Sequence, residues 1–336
     1  DIGGANTKIS VFDSNFNIVE FHIKNLQIWN NLNDIISLFK DISDKYKPYD
    51  VYNFVTFTAE SCDNFKDRRH GILLLLEYCN SYLNGDIKYY CNNDTYVNYN
   101  NAIEFPEKLY STNWILTSKF LNKANNINFI IDVGSTTTDF IYKDMDIDDN
   151  INDHKRLINK TLLYMGVVRT PIPMITNEVK FLGKTISLVN EVFATTGDIF
   201  NITNDIDFTN LAYVGADNLE LTKKNSFIRL ARLLGKDYQK SDKSHLIDLS
   251  FYIKRLCIKR IINNVNLLDK VKKNEIIMTS IGEGNFLIKE ICELYNINYV
   301  PIENESFLHI ENIKKDLIYK NFTSVLAVNN YVNKKL

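Results

Sequence analysis

Proline and glycine are scarce, with 5 and 12 in 336 residues, so the chain holds little material for a flexible linker. Disulfide chemistry has as little support. The five cysteines, Cys62, Cys79, Cys91, Cys257 and Cys292, are odd in number and scattered, and no two form a CxxC pair. That excludes a disulfide frame or a zinc site and suits reduced thiols in the cytoplasm. No apolar run approaches the roughly 20 residues that span a bilayer, and the first residues do not read as a secretory signal. No membrane association is expected. With 39 basic against 41 acidic side chains the net charge is −2, so the basic surface that nucleic acid requires is missing. The five histidines lie apart, without metal-ligand spacing, and are read as structural.

What is present is enough apolar material, 45% of the chain, for one large core or two smaller ones. The chain starts at Asp1 without Met and in what reads as the end of a strand, so a short apolar start is expected to precede it. "TKISVFD" and "IVEFHIK" read as a hairpin, residues 32–46 as a helix, and "DVYNFVTFT" as one buried strand. Helices are expected over "GILLLLEYCNSYL" and "NWILTSKFLNKA", with the strand "IKYYC" between them. The acidic run 144–153 looks like an exposed hairpin or insertion, "NEVFATTGDIF" and "SFIRLARLLG" like helices, and 244–268 like a long helical tract. "NEIIMTSIGEGNFLIKEIC" reads as strand, glycine turn and helix, and "SVLAVNNYV" as a terminal helix.

The signal that carries chemistry is a repeat. "DIGGANTKIS" opens the chain and "DVGSTTTDFI" restates it from Asp132, with Thr7 and Thr138 at the same place beyond the turn. Matching strands flank both copies, which marks a duplicated α/β half. A tight turn after a strand exposes backbone N–H groups, and Gly3, Gly4 and Gly134 let phosphate oxygens approach them. Ala5, Asn6, Thr7, Ser135, Thr136 and Thr137 complete the turns with further amides and hydroxyls, and Lys8 adds a cation at the edge. Asp1 and Asp132 would repel bare phosphate. They become intelligible as ligands of a divalent cation, Mg²⁺ being the usual choice, and two such turns facing one another would hold a metal diphosphate from both sides. Gly282 and Gly284 offer a third anion-binding helix start, or plain turn geometry. Glu60 is a strand-end site residue or a helix-capping, solvated one. Asp139 is a catalytic carboxylate or a turn-bonding one. Arg169 is a bidentate anion ligand or half of a surface ion pair.

Asp-turn hairpins duplicated across two lobes, with a late glycine turn before a helix, resemble the actin, sugar kinase and Hsp70 superfamily. Within it, "DIGGANTK", "TAE" at Thr58 to Glu60, "NW" at Asn113 and Trp114, "DVGSTTTDF", "GVVRTPI", "NEVFATTGDI" and "RLARLLGKD" look like the archaeal hydantoinase-A-like family of tetrahydromethanopterin-linked C1 metabolism. The resemblance implies an α/β, two-lobed actin-like fold (duplicated RNase H-like halves) with a central cleft. Its lobes would be 1–122, with a terminal helix at about 322–336 packing back on it, and 123–321 with helical insertions. It implies a cytoplasmic, diphosphate-releasing transferase of methanofuran biosynthesis, acting on an aminomethylfuran-methyl diphosphate and γ-glutamyltyramine, with homo-oligomerisation left open. Asp139, then Glu60, are the candidate acceptors of the phenol proton. An ATP-dependent small-molecule kinase or ATPase of the same superfamily is the alternative, and a nucleotide-switched interaction protein is a third reading.

Overall fold

A computed structural model describes residues 1–148, 151–208, 213–267, 276–304 and 317–335. In chain order the strands are β1 (Ile2–Gly3), β2 (Thr7–Phe12), β3 (Ile18–Lys24), β4 (Tyr52–Val55), β5 (Phe57–Thr58), β6 (Asp86–Tyr90), β7 (Tyr96–Val97), β8 (Phe129–Val133), β9 (Thr138–Tyr142), β10 (Leu162–Leu163), β11 (Glu178–Phe181), β12 (Lys184–Ser187), β13 (Ile277–Ile281) and β14 (Asn298–Tyr299). The helices are α1 (Asn33–Tyr46), α2 (Arg68–Tyr82), α3 (Tyr99–Glu104), α4 (Asn113–Lys123), α5 (Asp153–Ile158), α6 (Thr196–Ile202), α7 (Lys223–Leu233), α8 (Lys243–Asn264), α9 (Asn285–Tyr295) and α10 (Ile318–Lys335). The protein is thus mixed α/β. Among the described residues no helix is long and apolar enough to cross a membrane.

The chain divides into two compact units, residues 1–130, 141–158 and 300–336 in the first and 131–140 and 159–299 in the second. In the first, one sheet runs β3-β2-β1-β5 and another β4-β6-β7. The expected strand over 50–58 is broken between them at Thr56, whose carbonyl accepts the Ile2 N–H at 2.9 Å, so that β5 joins β1 in parallel while β4 pairs with β6. The core gathers Ile2, Ile35, Phe39, Phe57, Ile72, Leu75 and Tyr89, the α1 members recurring at helical spacing. Helix α2 begins ahead of the expected Gly71 because the Asp67 carboxylate caps it, accepting the His70 N–H at 2.8 Å. Helix α10 packs on α4, β2 and β4. Tyr96 donates to the Ala327 carbonyl at 2.6 Å, the Ser10 and Ser324 hydroxyls meet at 2.6 Å, and Phe120 meets Phe322 edge to face. A groove of about 1100 Å³ is lined by residues of β2, β4, α1 and α10, chiefly with apolar side chains, and Asp1, Thr7 and Lys8 are among its lining.

In the second unit the sheet order is β10-β9-β8-β13-β14. β10 is antiparallel to β9, as β3 is to β2 in the first unit. Each sheet thus orders its strands alike: the third of the repeat, the second, the first (preceded by Asp1 in one sheet and containing Asp132 in the other), then a strand from later in the chain. Helices α6, α7 and α8 pack on one another, and α9 packs on β13. The helix expected over "NEVFATTGDIF" starts only at Thr196. Thr195 forms a bridge with Pro171, and the Asp198 carboxylate takes the Thr195 N–H at 3.0 Å, closing the N-terminus there. The β11–β12 hairpin was not expected, since "NEVKFLGKTIS" has no proline or Asn-Gly signal; its turn uses Leu182 and Gly183, both at positive φ. Asp149 and Asn150 of the acidic run, and Leu268 of the long helical tract, lie outside the described residues.

Candidate active site

The repeat of letters is a repeat of hydrogen bonds. In the first turn the Gly3 N–H donates to the Asn6 carbonyl at 3.1 Å, and in the second the Gly134 N–H donates to the Thr137 carbonyl at 2.9 Å. A crossing segment then meets each turn. Leu26 and Ile28 donate to the Ala5 and Gly4 carbonyls at 3.1 Å each, while Val167 donates to Gly134 and both Val168 and Arg169 to Ser135, at 3.0 Å each. With the carbonyls engaged, the amides of Gly4 and Ala5, and of Ser135 and Thr136, meet no acceptor among the described residues. A row of open N–H groups is what an oxyanion needs. Gly3 is required by closeness, since a Cβ there would stand 2.7 Å from the Asn6 carbonyl oxygen.

The threonines beyond the turns have separate fates. Thr138 is buried and donates to the Met165 carbonyl at 2.7 Å, tying the hairpin to the crossing segment. Thr7 is also buried, but its hydroxyl has no partner among the described residues. Asp1 is half-buried and its Oδ1 accepts the Thr56 hydroxyl at 3.3 Å. Lys8 lies on β2, partly exposed, with its N–H on the Asp1 carbonyl at 3.0 Å.

In the first unit, Glu60 follows β5, the strand paired in parallel with β1, so it sits two residues beyond the partner of Gly3. The next turn returns Cys62 to the first copy of the repeat, and a Cβ on Gly4 would stand 2.8 Å from its Sγ. Gly71 on α2 has no room for a side chain against the Glu60 carbonyl, which lets α2 close over this strand end. Glu60 is fully buried. Its Oε1 accepts the Ser111 hydroxyl at 2.8 Å, and its Oε2 meets no partner among the described residues. Burial pushes the carboxyl up to about 7, against smaller opposing effects from the Ser111 hydrogen bond and the Arg68 charge. A carboxyl titrating there is suited to moving a proton near neutral pH.

In the second unit the expected third turn converges with the second. The Gly284 N–H donates to the Val133 carbonyl at 2.8 Å. Gly282, at φ +83°, lies so close to Asp132 Oδ1 and the Val133 carbonyl that no side chain fits. Asp132 is half-buried there. Asp139 is buried on β9, opposite Leu162. Arg169 is bound to the second turn through its backbone, with its side chain half-buried.

The Asp1 and Asp132 carboxylates are hard oxygen donors of the kind Mg²⁺ takes, one or two at a time with water filling the rest. Among the described residues no group of three or more His, Cys, Asp or Glu side chains is placed to hold a metal.

A scan against protein-family models finds no match. Two curated proteins do align. One is the (4-{4-[2-(gamma-L-glutamylamino)ethyl]phenoxymethyl}furan-2-yl)methanamine synthase of Methanocaldococcus jannaschii, 29% identical over 301 residues, 88% of this chain and 88% of its own length. The other is the synthase of the same name from Methanococcus vannielii, 29% identical over 213 residues, 62% of this chain and 93% of its own length. The chain is similar to both. In the product that their name describes, a phenoxymethyl ether joins a phenol ring bearing a γ-glutamylaminoethyl chain to an aminomethylfuran.

Three features escaped the sequence. Ser111 and Asp153 come to the surroundings of Glu60 from distant parts of the chain and Arg68 from the start of α2, and no spacing announces them. Glu283 follows β13 as Glu60 follows β5, and accepts the Tyr213 hydroxyl at 2.6 Å; its place between two glycines was the available signal. The buried Arg229, paired with Asp198 at 3.0 Å, looked like an ordinary helix residue.

Proposed function

We propose that this protein is a biosynthetic enzyme of methanofuran formation, making the aryl ether between γ-glutamyltyramine and an aminomethylfuran. The observation that carries the reading is the similarity to the two synthases, one of them across 88% of both chains. The reaction we assign joins the phenol oxygen to the furan-methyl carbon: the C–O bond of an aminomethylfuran-methyl diphosphate breaks, diphosphate leaves with the electron pair, the ether C–O bond forms, and the phenol proton passes to a base. The furan oxygen stabilises positive charge on the reacting carbon, which favours early departure of the diphosphate.

Two tasks then fall to the protein. The open amides of the Gly3–Thr7 and Gly134–Thr137 turns suit diphosphate oxygens and would stabilise charge developing on the leaving group; we assign Arg169 and the Gly282–Gly284 turn to the same task. Asp1 and Asp132 are the residues we assign to Mg²⁺, which when bound would neutralise diphosphate charge. The second task is the phenol, whose ordinary pKa of about 10 leaves roughly one molecule in a thousand ionised at pH 7. Glu60, poised near 7 with one oxygen unpartnered among the described residues, is better suited to take its proton than Asp139. Matching strand orders and turn hydrogen bonds support reading the two units as the duplicated RNase H-like halves of an actin-like fold, of the hydantoinase-A-like kind.

Purified protein given Mg²⁺, the furan-methyl diphosphate and γ-glutamyltyramine, with no ATP, is expected to yield the ether and one pyrophosphate per turnover by mass spectrometry and a pyrophosphate assay. No ether under these conditions, or ether only with ATP, would overturn the assignment in favour of a phosphoryl-transfer enzyme.

A further inference from the structure

Ser111 holds an unusual conformation for its residue type. Its φ is +47°, the left-handed region, where a residue with a Cβ is strained by roughly 1 kcal/mol or more. Neither glycine nor asparagine, the residues that visit this region most readily, occupies the position. What serine supplies is a hydroxyl, and that hydroxyl donates to Glu60 Oε1 at 2.8 Å.

The single hydroxyl proton has two acceptors within reach, since Asp153 Oδ2 lies 3.5 Å away. Asp153 is taken up elsewhere. The Arg68 guanidinium pairs with the same Oδ2 and donates to the Ser61 hydroxyl at 3.0 Å. Arg156 stands 4.0 Å from the other carboxylate oxygen and lies over the Trp114 ring at 4.1 Å. Tyr110 completes the surroundings, its ring 5.7 Å from the Arg68 guanidinium. These groups come from the stretch from Ser61 to the start of α2, from residues 110–114 at the start of α4, and from α5, so the arrangement is built from three places in the chain.

We propose that Ser111 is the positioning residue of Glu60: its strained backbone fixes the hydroxyl on Oε1, the Arg68–Asp153 pair leaves that hydroxyl proton to Glu60, and Oε2 is thereby presented as the oxygen that takes the substrate proton. The inference rests on reading Glu60 as the proton acceptor, and it makes Ser111, Asp153 and Arg68 one device.

Ser111→Gly separates positioning from stability, because glycine adopts positive φ without strain. At pH 4.5, where the buried Glu60 carboxyl is neutral, Ser111→Gly in the full-length protein is expected to unfold at the same or higher urea concentration than the unaltered protein. It loses a hydrogen bond to the ionised carboxylate, so the acid limb of the pH–rate profile moves to higher pH, by up to about one unit, and kcat falls about tenfold or more. Asp153→Asn removes a negative charge near Glu60, and its acid limb moves the opposite way. Infrared titration of the Glu60 carboxyl band, identified by its loss in Glu60→Gln, reads the same two shifts without substrate. Bands that stay in place in both variants, or move in one direction in both, overturn the proposal. Opposed band shifts with a fully active Glu60→Gln would leave Ser111 as the residue that sets Glu60 and overturn only the reading of Glu60 as the proton acceptor.

Discussion

Gly282 and Asp132 occupy one another's space: the Gly282 Cα is so close to the Asp132 carboxylate that a Cβ would overlap Oδ1, and its φ of +83° is one that a side chain resists. The third glycine turn is thus fitted to the second Asp turn atom by atom. Gly282→Ala must either unwind the turn or push Asp132 aside. It is expected to destabilise the protein by about 2 kcal/mol or more, read as a shift in urea midpoint, and to lower activity beyond the loss of folded protein. A variant with unchanged midpoint and activity would refute the fit.

Glu60 sets function against stability. Its carboxyl is raised from an ordinary 4.5 to about 7 by burial, so below about pH 4.5 it is neutral in both states and costs nothing. As pH rises from about 4.5 to about 7 the unfolded chain ionises while the fold retains the proton, and stability is lost until the folded carboxyl also ionises. The loss, about 3 kcal/mol, is complete above pH 7. Glu60→Gln escapes it. The variant is expected to be more stable than the unaltered protein at pH 8 and about equal at pH 4.5 in paired urea titrations, while its ether formation falls about 100-fold or more.

Much of this arrangement is legible in the sequence because it is local. Both copies of the Asp-x-Gly turn close on a hydrogen bond three residues away, from Gly3 to Asn6 and from Gly134 to Thr137, and the spacing of Ile35, Leu38, Phe39 and Ile42 marks α1. The Glu60 surroundings are assembled from residues near 68, 111 and 153, and nothing in a one-dimensional pattern says that Ser111 will meet Glu60. The split of 50–58 between two sheets was hidden for a related reason: β-rich runs look alike whether their partner is one sheet or two. The start of α6 depended on Thr195 bridging Pro171, a tertiary event that overrode a helical apolar pattern.

The two aspartates that open the repeats are half-buried and are assigned to charge rather than packing. Asp1→Asn keeps an acceptor for the Thr56 hydroxyl, and Asp132→Asn keeps the shape beside Gly282. Each is expected to change the urea midpoint by an amount worth about 1 kcal/mol or less and to cut turnover by about 100-fold or more. Part of the loss should be recovered by raising Mg²⁺. Variants that fail to fold would show instead that these carboxylates serve the structure.

The buried pair Arg229 and Asp198 supports the second turn at one remove. Both side chains are fully buried and 3.0 Å apart, and the guanidinium also donates to Asp217 Oδ1 from Nε at 2.9 Å. Asp198 holds the start of α6, whose Thr196 hydroxyl donates to the Gly166 carbonyl at 2.7 Å and whose Gly197 N–H donates to the Val168 carbonyl at 3.0 Å. Residues 166–169 are the segment that braces the Gly134–Thr137 turn. Asp198→Ala removes one partner of a buried cation and is expected to cost about 3 kcal/mol, whereas Asp198→Ala combined with Arg229→Met is expected to recover part of it. The folded fraction of the single variant should show a raised KM for the diphosphate substrate, because the brace is loosened, with a pH–rate profile like that of the unaltered protein, because Glu60 is untouched. A raised KM that came with a moved acid limb would mean that the effect reaches Glu60 and that the brace acts on more than the turn.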